Sequence, residues 1–274
     1  MFGAILLVFL GMQSLVDAGM CWKKGVAAGW KKFRCEDFSV LTDYSWWYSW
    51  GCDADDFYDN HDCSSVIDSI FSNKFVPMIW GMYKKTDYTC HHGSGATAVL
   101  GCNEPNHKQQ SSILPEKAAD RWPLLQNNAT NMTLVSPSAA PCGATHCLAN
   151  HNTTTWFDAF FARCEGCSFD AIATHKYSCN ADATMEFLEM LYERYNKPIW
   201  LTEFACRSTN VNQVINYMKA ILPRLDSAPY VHRYAWYTSR ITNPWGWIKP
   251  TASLFEADSS TLTELGWIYQ NHTC

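Results

Sequence analysis

Short apolar runs alternate along this chain with longer segments in which apolar residues recur every three or four positions. The short runs predict strands, and the longer segments predict helices that bury one face. Eight runs have the length of a buried strand: 25–30, 45–50, 75–80, 98–103, 133–136, 171–175, 199–203 and 234–237. Residues 114–125, 154–162, 184–195 and 210–222 have helical spacing. The first strand has the weakest pattern, because Ala27-Ala28-Gly29 is a poor strand former.

This alternation predicts an α/β fold in which helices wrap a parallel sheet. Eight strand–helix units favour a single closed (β/α)8 barrel, the TIM barrel, over an open doubly wound sheet. Such a barrel typically needs about 250 residues, so it would use most of the 274 residues of the chain. The sequence has no G-x-G-x-x-G or P-loop motif that would indicate a nucleotide site.

Two of the predicted strands end at a glutamate. Glu104 closes the fourth strand and Glu203 closes the seventh. In a closed barrel both carboxylates emerge at the C-terminal face, nearly opposite each other across its mouth. The alternative interpretation is a pair of ordinary surface glutamates at strand ends. Because the two share one setting, we favour a functional pair.

Hydrolysis of a glycosidic bond usually requires two carboxyl groups that face each other across one cleft. The hypothesis is a retaining glycosidase in which Glu104 is the general acid/base and Glu203 is the nucleophile. It requires carboxyl groups about 5–5.5 Å apart. It also predicts that anionic Glu203 keeps Glu104 protonated in the free site and releases it as a base after the sugar is attached.

Three polar residues stand close to these glutamates in the sequence. Asn103 precedes Glu104 and is expected to hydrogen-bond the 2-hydroxyl of a sugar. His175 and Tyr177 end the sixth strand, beside the strand of Glu203, and either could position Glu203 by hydrogen bonding. For His175, a polar residue satisfied near the core fits the sequence equally well.

Thirteen tryptophans are more than a core needs. Trp50, Trp80 and Trp236 end predicted strands, so the barrel places them on the face of the glutamates, where flat rings suit the apolar faces of sugars. Trp245 and Trp247 follow in the loop after the last strand. Filling of the core is the alternative, and we assign it to Trp122, Trp156 and part of the pair Trp46 and Trp47.

Charge and motifs exclude several other classes. The net charge is −5 without a basic block, which argues against nucleic acid as a partner. The nine histidines form no H-E-x-x-H pattern, and no serine stands in a G-x-S-x-G elbow. Neither a catalytic metal nor a cofactor is therefore predicted.

The N-terminus and the cysteines indicate an oxidising compartment. Residues 1–10 are apolar, and the stretch 1–18 is too short to span a bilayer and ends in a signal-peptide cleavage pattern, which leaves 19–274 as the catalytic domain. A buried N-terminal helix is the alternative. Thirteen cysteines predict disulfides with one thiol left over, and Cys164 and Cys167 fit a disulfide better than half a zinc site. Four N-x-S/T sequons and the lack of an apolar C-terminal tail predict a secreted, glycosylated monomer without a membrane anchor.

A set of segments in a fixed order resembles glycoside hydrolase family 128, the endo-β-1,3-glucanases with the Asl1-like catalytic core. The segments are Lys24-Gly25-Val26-Ala27, Trp47-Tyr48-Ser49-Trp50, Phe75-Val76-Pro77-Met78-Ile79-Trp80-Gly81, Leu100-Gly101-Cys102-Asn103-Glu104-Pro105-Asn106, Val135-Ser136-Pro137, His175-Lys176-Tyr177 and 197–205. The resemblance implies a (β/α)8 barrel, Glu104 as acid/base, Glu203 as nucleophile, Asn103 as a sugar contact and a cleft for β-1,3-glucan.

Two other hypotheses stay open from the sequence. One is a glucan-binding protein without catalytic activity, such as a lectin or adhesin. The tryptophans at the strand ends would be sufficient for binding glucan. The other is the same barrel acting on a different β-glycan, such as a β-1,4-linked polymer. Linkage preference and endo or exo action depend on the shape of the cleft.

Overall fold

The computed structural model describes residues 21–29, 34–52, 74–83, 96–143 and 145–274. The strands are β1 Lys24–Ala27, β2 Trp46–Tyr48, β3 Ala98–Leu100, β4 Thr133–Val135, β5 Ile172–Tyr177, β6 Ile199–Ala205 and β7 Val231–Tyr237. The helices are α1 Asp37–Val40, α2 Pro115–Asn128, α3 Thr153–Arg163, α4 Ala181–Tyr195, α5 Val211–Ser227 and α6 Glu264–Gln270, with short 3-10 helices at Leu148–Asn150 and Pro250–Ala252. The predicted signal peptide 1–18 and Trp30 lie outside the described residues.

The strands form a parallel ring. Five of them pair in the order β2-β1-β7-β6-β5, and β3 pairs with β4. Single parallel bridges join the two sheets, from Val135 to Ala171 on one side and through the extended segment 75–80 on the other. In that segment Phe75 bridges to Trp47 and Met78 bridges to Leu100. The ring therefore has eight positions, and the predicted (β/α)8 barrel is confirmed.

The extended segment 75–80 makes isolated bridges where the sequence predicts a full strand. Pro77 lies at its centre and has no N–H to donate to a ladder. The neighbouring chain still bonds to Pro77 on its acceptor side, since the Leu100 N–H donates to its carbonyl at 2.9 Å. The third barrel position is thus irregular at a single proline.

Two apolar cores follow from the alternation of side chains along the strands. The core inside the barrel contains Trp46, Tyr48 and Trp200, with the rings of Trp46 and Trp200 5.3 Å apart. The larger core between strands and helices contains Trp47, which meets Phe38 and Phe75. Trp122 and Trp156 are also fully buried, so their assignment to the core is confirmed.

Asparagine caps begin three of the helices. The side chains of Asn152, Asn180 and Asn210 accept backbone N–H groups at the first turns of α3, α4 and α5. Proline fills the first turn of α2, where its missing N–H has no partner to lose. All four helices predicted from spacing are present, each a few residues longer than its apolar pattern.

Disulfides fasten the loops at both ends of the barrel. Cys21–Cys274, Cys142–Cys147, Cys164–Cys167 and Cys179–Cys206 are formed, so the disulfide predicted for Cys164 and Cys167 is confirmed. Cys35 and Cys52 are also disulfide-bonded. Within the described residues, the one free thiol is the buried Cys102. No helix in this part of the chain has the length and apolarity needed to cross a bilayer.

Candidate active site

Glu203 lies on β6 and is surrounded by hydrogen-bond donors. The indole Nε1 of Trp50 donates to its Oε1 at 2.8 Å, and the Tyr48 hydroxyl donates to the same oxygen at 3.3 Å. The Tyr177 hydroxyl donates to Oε2. Only 5% of Glu203 is exposed. Burial costs a carboxylate its hydration, and these three donors replace part of it.

A shift of register between β5 and β6 brings His175 to Glu203. Thr174 pairs with Leu201, whereas the next residue, His175, pairs with Glu203, so Thr202 is an extra residue on β6. Such a bulge re-aims side chains beside functional sites. As a result His175 Nδ1 lies 3.4 Å from Glu203 Oε2.

Glu104 follows β3 in a left-handed backbone conformation, with φ +40°. Its backbone N–H donates to the Ser138 hydroxyl at 3.3 Å. Its Oε1 lies 2.8 Å from His175 Nδ1, and its Oε2 lies 3.8 Å from His107 Nδ1. The turn therefore places one carboxylate oxygen of Glu104 next to each of two histidines.

Glu104, His175 and Glu203 form one cluster, whose nearest nitrogen and oxygen atoms all lie within 4.8 Å of one another. Atoms this close could also ligate a cation. However, Glu203 already accepts three N–H or O–H donors, and Glu104 faces two imidazoles. The donor set fits a group of side chains that share protons.

Burial and neighbouring charges together shift the pKa values of Glu104 and Glu203 in opposite directions. Burial would raise the pKa of Glu104, but His175, with a contribution from His107, outweighs it and lowers that pKa. Burial raises the pKa of Glu203, and the negative charge of Glu104 adds to the rise. The two carboxylates raise the pKa of His175 despite its burial. The expectation that Glu104 is held protonated by Glu203 is therefore corrected for the free site, because His175 lies nearer to Glu104.

Asn103 lies beside Trp80 at the end of the β3 run. Its backbone N–H donates to the Trp80 carbonyl at 2.9 Å, and its side-chain Nδ2 donates to Gln110 at 3.3 Å. The Asn103 Oδ1 atom is buried and has no hydrogen-bond partner in the part of the chain that the structure describes. A buried amide oxygen without a partner is uncommon, and it leaves one acceptor for a ligand.

The aromatic side chains that contact Glu203 are themselves in contact with further aromatic rings. Tyr237 contacts Trp50 and Tyr177 at ring-centroid distances of 5.7 and 5.6 Å, and Tyr177 contacts Trp247 at 4.5 Å. The Arg207 guanidinium lies 4.1 Å from the centroid of the Trp247 ring. Trp247 is 55% exposed and Trp80 is 37% exposed, so both offer ring surface to a ligand.

Known proteins are similar to this chain in sequence and in fold. The sequence model described as "Glycosyl hydrolase catalytic core" matches residues 19–269. An endo-β-1,3-glucanase of glycoside hydrolase family 128, subgroup II, from Sorangium cellulosum is 30% identical, with a TM-score of 0.76, over 91% of this chain and 98% of that chain. The chain belongs to glycoside hydrolase family 128. Its predicted identity as a glycoside hydrolase with a barrel fold is thereby confirmed.

Two further proteins are similar to this family 128 enzyme. One is known in complex with an oligosaccharide, and the other is a longer protein. A variant of the subgroup I endo-β-1,3-glucanase from Amycolatopsis mediterranei, in complex with laminarihexaose, is 25% identical, with a TM-score of 0.70, over 90% of this chain and 98% of that chain. Alkali-sensitive linkage protein 1 of Schizosaccharomyces pombe is 25% identical over 92% of this chain. The chain spans 44% of that curated relative.

Trp236 is a predicted site residue that the structure of the family 128 enzyme does not bring to the cluster. Its ring is fully buried, contacts Phe204 and Tyr217, and donates to the Ala252 carbonyl at 2.8 Å. The prediction that Trp236 contacts substrate is therefore corrected: it belongs to the core between barrel and helices. Its neighbour Tyr237 points to the opposite face of β7 and meets the rings at Glu203.

The predicted catalytic and substrate-binding residues include neither Tyr48 nor His107. Tyr48 is fully buried inside the barrel and reaches Glu203. The alternation along Trp46-Trp47-Tyr48 is the signal that could have found it, because Tyr48 shares a face with Trp46 and not with Trp47. His107 has no such signal, since it lies in a turn.

Proposed function

We propose that this family 128 enzyme is a secreted, retaining endo-β-1,3-glucanase that acts through Glu104 and Glu203. The observation that carries the proposal is the short separation of these groups, within 4.8 Å at their nearest oxygens. Retaining enzymes have carboxyl groups about 5–5.5 Å apart, whereas inverting enzymes need about 6.5–9.5 Å to admit a water. The relatives named as endo-β-1,3-glucanases support the substrate class.

In the proposed first step Glu203 attacks the anomeric carbon while Glu104 protonates the leaving sugar oxygen. The Glu203–sugar bond forms as the glycosidic bond breaks. In the second step Glu104 takes a proton from water, which displaces Glu203 and restores both groups. The donors Trp50, Tyr48 and Tyr177 support Glu203 as the carboxylate that stays ionised before attack.

The proton that Glu104 must deliver is already within the cluster. His175 carries a raised pKa beside the two carboxylates. A proton on His175 with ionised Glu104, and a neutral His175 with protonated Glu104, give the same net charge. These two forms therefore interchange without moving charge into or out of the buried site. Attachment of sugar to Glu203 removes its negative charge and frees Glu104 to act as base.

Secretion is supported by residues 1–18 and by the disulfides, which persist in oxidising compartments. Asn103, Trp50, Trp80, His175 and Tyr177 are proposed to line the sugar subsites or to support them. We propose a monomer that needs neither a metal nor a cofactor.

The direct test is the release of reducing sugar from laminarin and curdlan by the secreted protein, with product lengths measured. Internal cleavage gives a range of oligosaccharides, whereas an exo enzyme gives one short product. A β-1,4-glucan run alongside tests linkage. Binding without release would support the glucan-binding alternative, and activity on the β-1,4-glucan alone would overturn the assigned substrate.

Replacing Glu104 with glutamine is expected to lower kcat/KM on laminarin by about 10²-fold, because general acid catalysis is lost. An aryl β-laminarioligoside with a dinitrophenolate leaving group needs no proton, so attachment of its sugar to Glu203 should keep close to the wild-type rate. Burst kinetics on the aryl substrate measure that step separately. An equal loss on both substrates would contradict the acid role.

Replacing Trp50 with phenylalanine is expected to move the acidic limb of the pH–kcat/KM profile to higher pH. The Trp50 N–H lowers the pKa of Glu203, so its removal raises that pKa further above the usual carboxyl value. The nucleophile then becomes protonated at a higher pH as the solution is acidified. Loss of one hydrogen bond to a charged group predicts a shift of about one pH unit. An acidic limb at its wild-type position would show that Glu203 does not control it.

A further inference from the structure

His107 is the histidine near Glu104 whose ring the proposed steps do not use. It lies three residues after Glu104, and its backbone N–H donates to the Glu104 carbonyl at 2.9 Å. Its ring Nε2 lies 3.4 Å from the Ala140 carbonyl oxygen. A carbonyl can only accept, so Nε2 carries the hydrogen. In the neutral ring the lone pair is then on Nδ1, which faces Glu104 Oε2 at 3.8 Å.

The second histidine beside Glu104, His175, contacts the other carboxylate oxygen, Oε1. His175 Nδ1 lies 2.8 Å from Glu104 Oε1, while its Nε2 is buried and has no hydrogen-bond partner among the described residues. The two carboxylates favour a proton on His175, but that proton leaves a buried N–H at Nε2 for which the described residues offer no acceptor, which has a cost. A proton on Glu104 Oε2 avoids that cost, since Oε1 still accepts from His175 Nδ1. This form is satisfied if Oε2–H also finds an acceptor, and His107 Nδ1 is the ring nitrogen placed beside it.

We propose that His107 is a positioning residue that accepts a hydrogen bond from the protonated Glu104 carboxyl and thereby holds its acid form. The inference rests on the proposed role of Glu104 as acid/base. At 3.8 Å the contact is longer than a hydrogen bond, and such contacts in a free enzyme commonly shorten when substrate closes the site. His107 itself neither gains nor loses a proton, because Glu104 gives its proton to the leaving oxygen and recovers one from water.

Residues 140–143 and 145–147 form a loop region that holds His107 in place. Ala140 is fixed to the buried Asn106, whose Oδ1 accepts the Ala140 N–H at 3.0 Å and whose Nδ2 donates to the Ala140 carbonyl at 2.7 Å. The backbone of His107 bridges to Cys147, which is disulfide-bonded to Cys142. Both the carbonyl that fixes the ring and the backbone that carries it are thus anchored to the same loop.

A neutral and a protonated imidazole at His107 have opposite effects on the Glu104 carboxyl group. Neutral His107 offers a lone pair to the acid form of Glu104, whereas protonated His107 stabilises the carboxylate and lowers the pKa of Glu104. The ring with its lone pair on Nδ1 is the form that holds the Glu104 proton, and loss of that proton limits activity on the alkaline side. The other titratable groups on the surrounding elements are Glu104 and Lys108 on the same turn, His175 on β5, Glu203 on β6, and His146 and His151 on the neighbouring loop.

The test is His107→Phe, which keeps a planar ring and removes Nδ1. We expect the basic limb of kcat/KM on laminari-oligosaccharides to move to lower pH by about half to one unit, the effect of one neutral hydrogen bond. Burst rates on the dinitrophenyl laminarioligoside should not change. His107→Gln, which can again accept a hydrogen bond, should return the limb close to its wild-type position. His146→Phe, an exposed histidine of the same loop, is the matched control and should leave the profile unchanged.

A basic limb that stays in place or moves to higher pH in the folded Phe variant would overturn the proposal. If that variant does not fold, His107→Leu provides the same measurement with a smaller side chain. Glu104→Gln separates this result from the proposed function. If Glu104→Gln loses activity selectively on natural leaving groups while His107→Phe leaves the limb in place, only the role of His107 fails. If Glu104→Gln shows no such selectivity, the acid role itself fails.

Discussion

The Glu203→Gln variant is expected to lose at least about 10³-fold in kcat/KM on laminarin, because an amide cannot form the glycosyl–enzyme bond. This corresponds to about 4 kcal/mol of transition-state stabilisation. Binding of laminari-oligosaccharides should persist, since the aromatic rings beyond the carboxylate are unchanged. Isothermal titration with an oligosaccharide and reducing-sugar release from laminarin measure the two properties separately.

The same substitution should leave the fold intact. Burial raises the pKa of Glu203, which means that the ionised carboxylate is costly where it stands. A neutral amide of the same size removes that cost and keeps an oxygen for Trp50 and Tyr48. We therefore expect a Tm equal to or above that of the wild type. Glu186→Gln, at an exposed position of α4, is the control and should change neither activity nor Tm. Near-normal activity of the Glu203 variant would contradict the assignment of the nucleophile.

The positions of the two glutamates could be predicted because they depend on topology alone. Each ends a buried strand, and parallel strands of one barrel all present their C-terminal ends at the same face. The sequence order of the strands then placed Glu104 and Glu203 across the mouth. The measured cluster within 4.8 Å agrees with that reasoning.

The face of a strand on which an individual side chain lies could not be predicted as well as the positions of the two glutamates. A shift of one residue exchanges the two faces of a strand, and the end of β7 illustrates this, because Tyr237 and not Trp236 meets the cluster. The extra residue on β6 that brings His175 to Glu203 has no sequence signal either. His107 depends on a carbonyl 33 residues away, and the Asp37–Arg240 pair joins residues 203 positions apart. Such contacts are set by the closed ring.

Replacing Arg240 with methionine is expected to lower the free energy of unfolding by about 3–5 kcal/mol, because it leaves a buried carboxylate uncompensated. Arg240 Nη2 donates to both oxygens of Asp37, at 2.6 and 2.8 Å, and the side chains of Arg240 and Asp37 are 2% and 0% exposed. Burial already raises the pKa of Asp37 even with the arginine present. For a domain of this size the loss corresponds to a decrease in Tm of roughly 6–15 °C, measurable by calorimetry.

The pair matters because it fastens the start of α1 to the loop after β7, which begins at Thr238. Arg240 also donates through Nη1 to the carbonyls of Glu256 and Ser259, so its removal loosens this rim of the cleft. Arg194→Met is the matched control: Arg194 pairs with Asp158 at 2.6 Å, but the two side chains are 49% and 40% exposed. Water and salt screen an exposed ion pair, so Tm should barely change. Adding Asp37→Asn to Arg240→Met should recover part of the loss, because the unpaired charge is removed. Equal effects of Arg240→Met and Arg194→Met would show that burial does not determine the contribution of the pair.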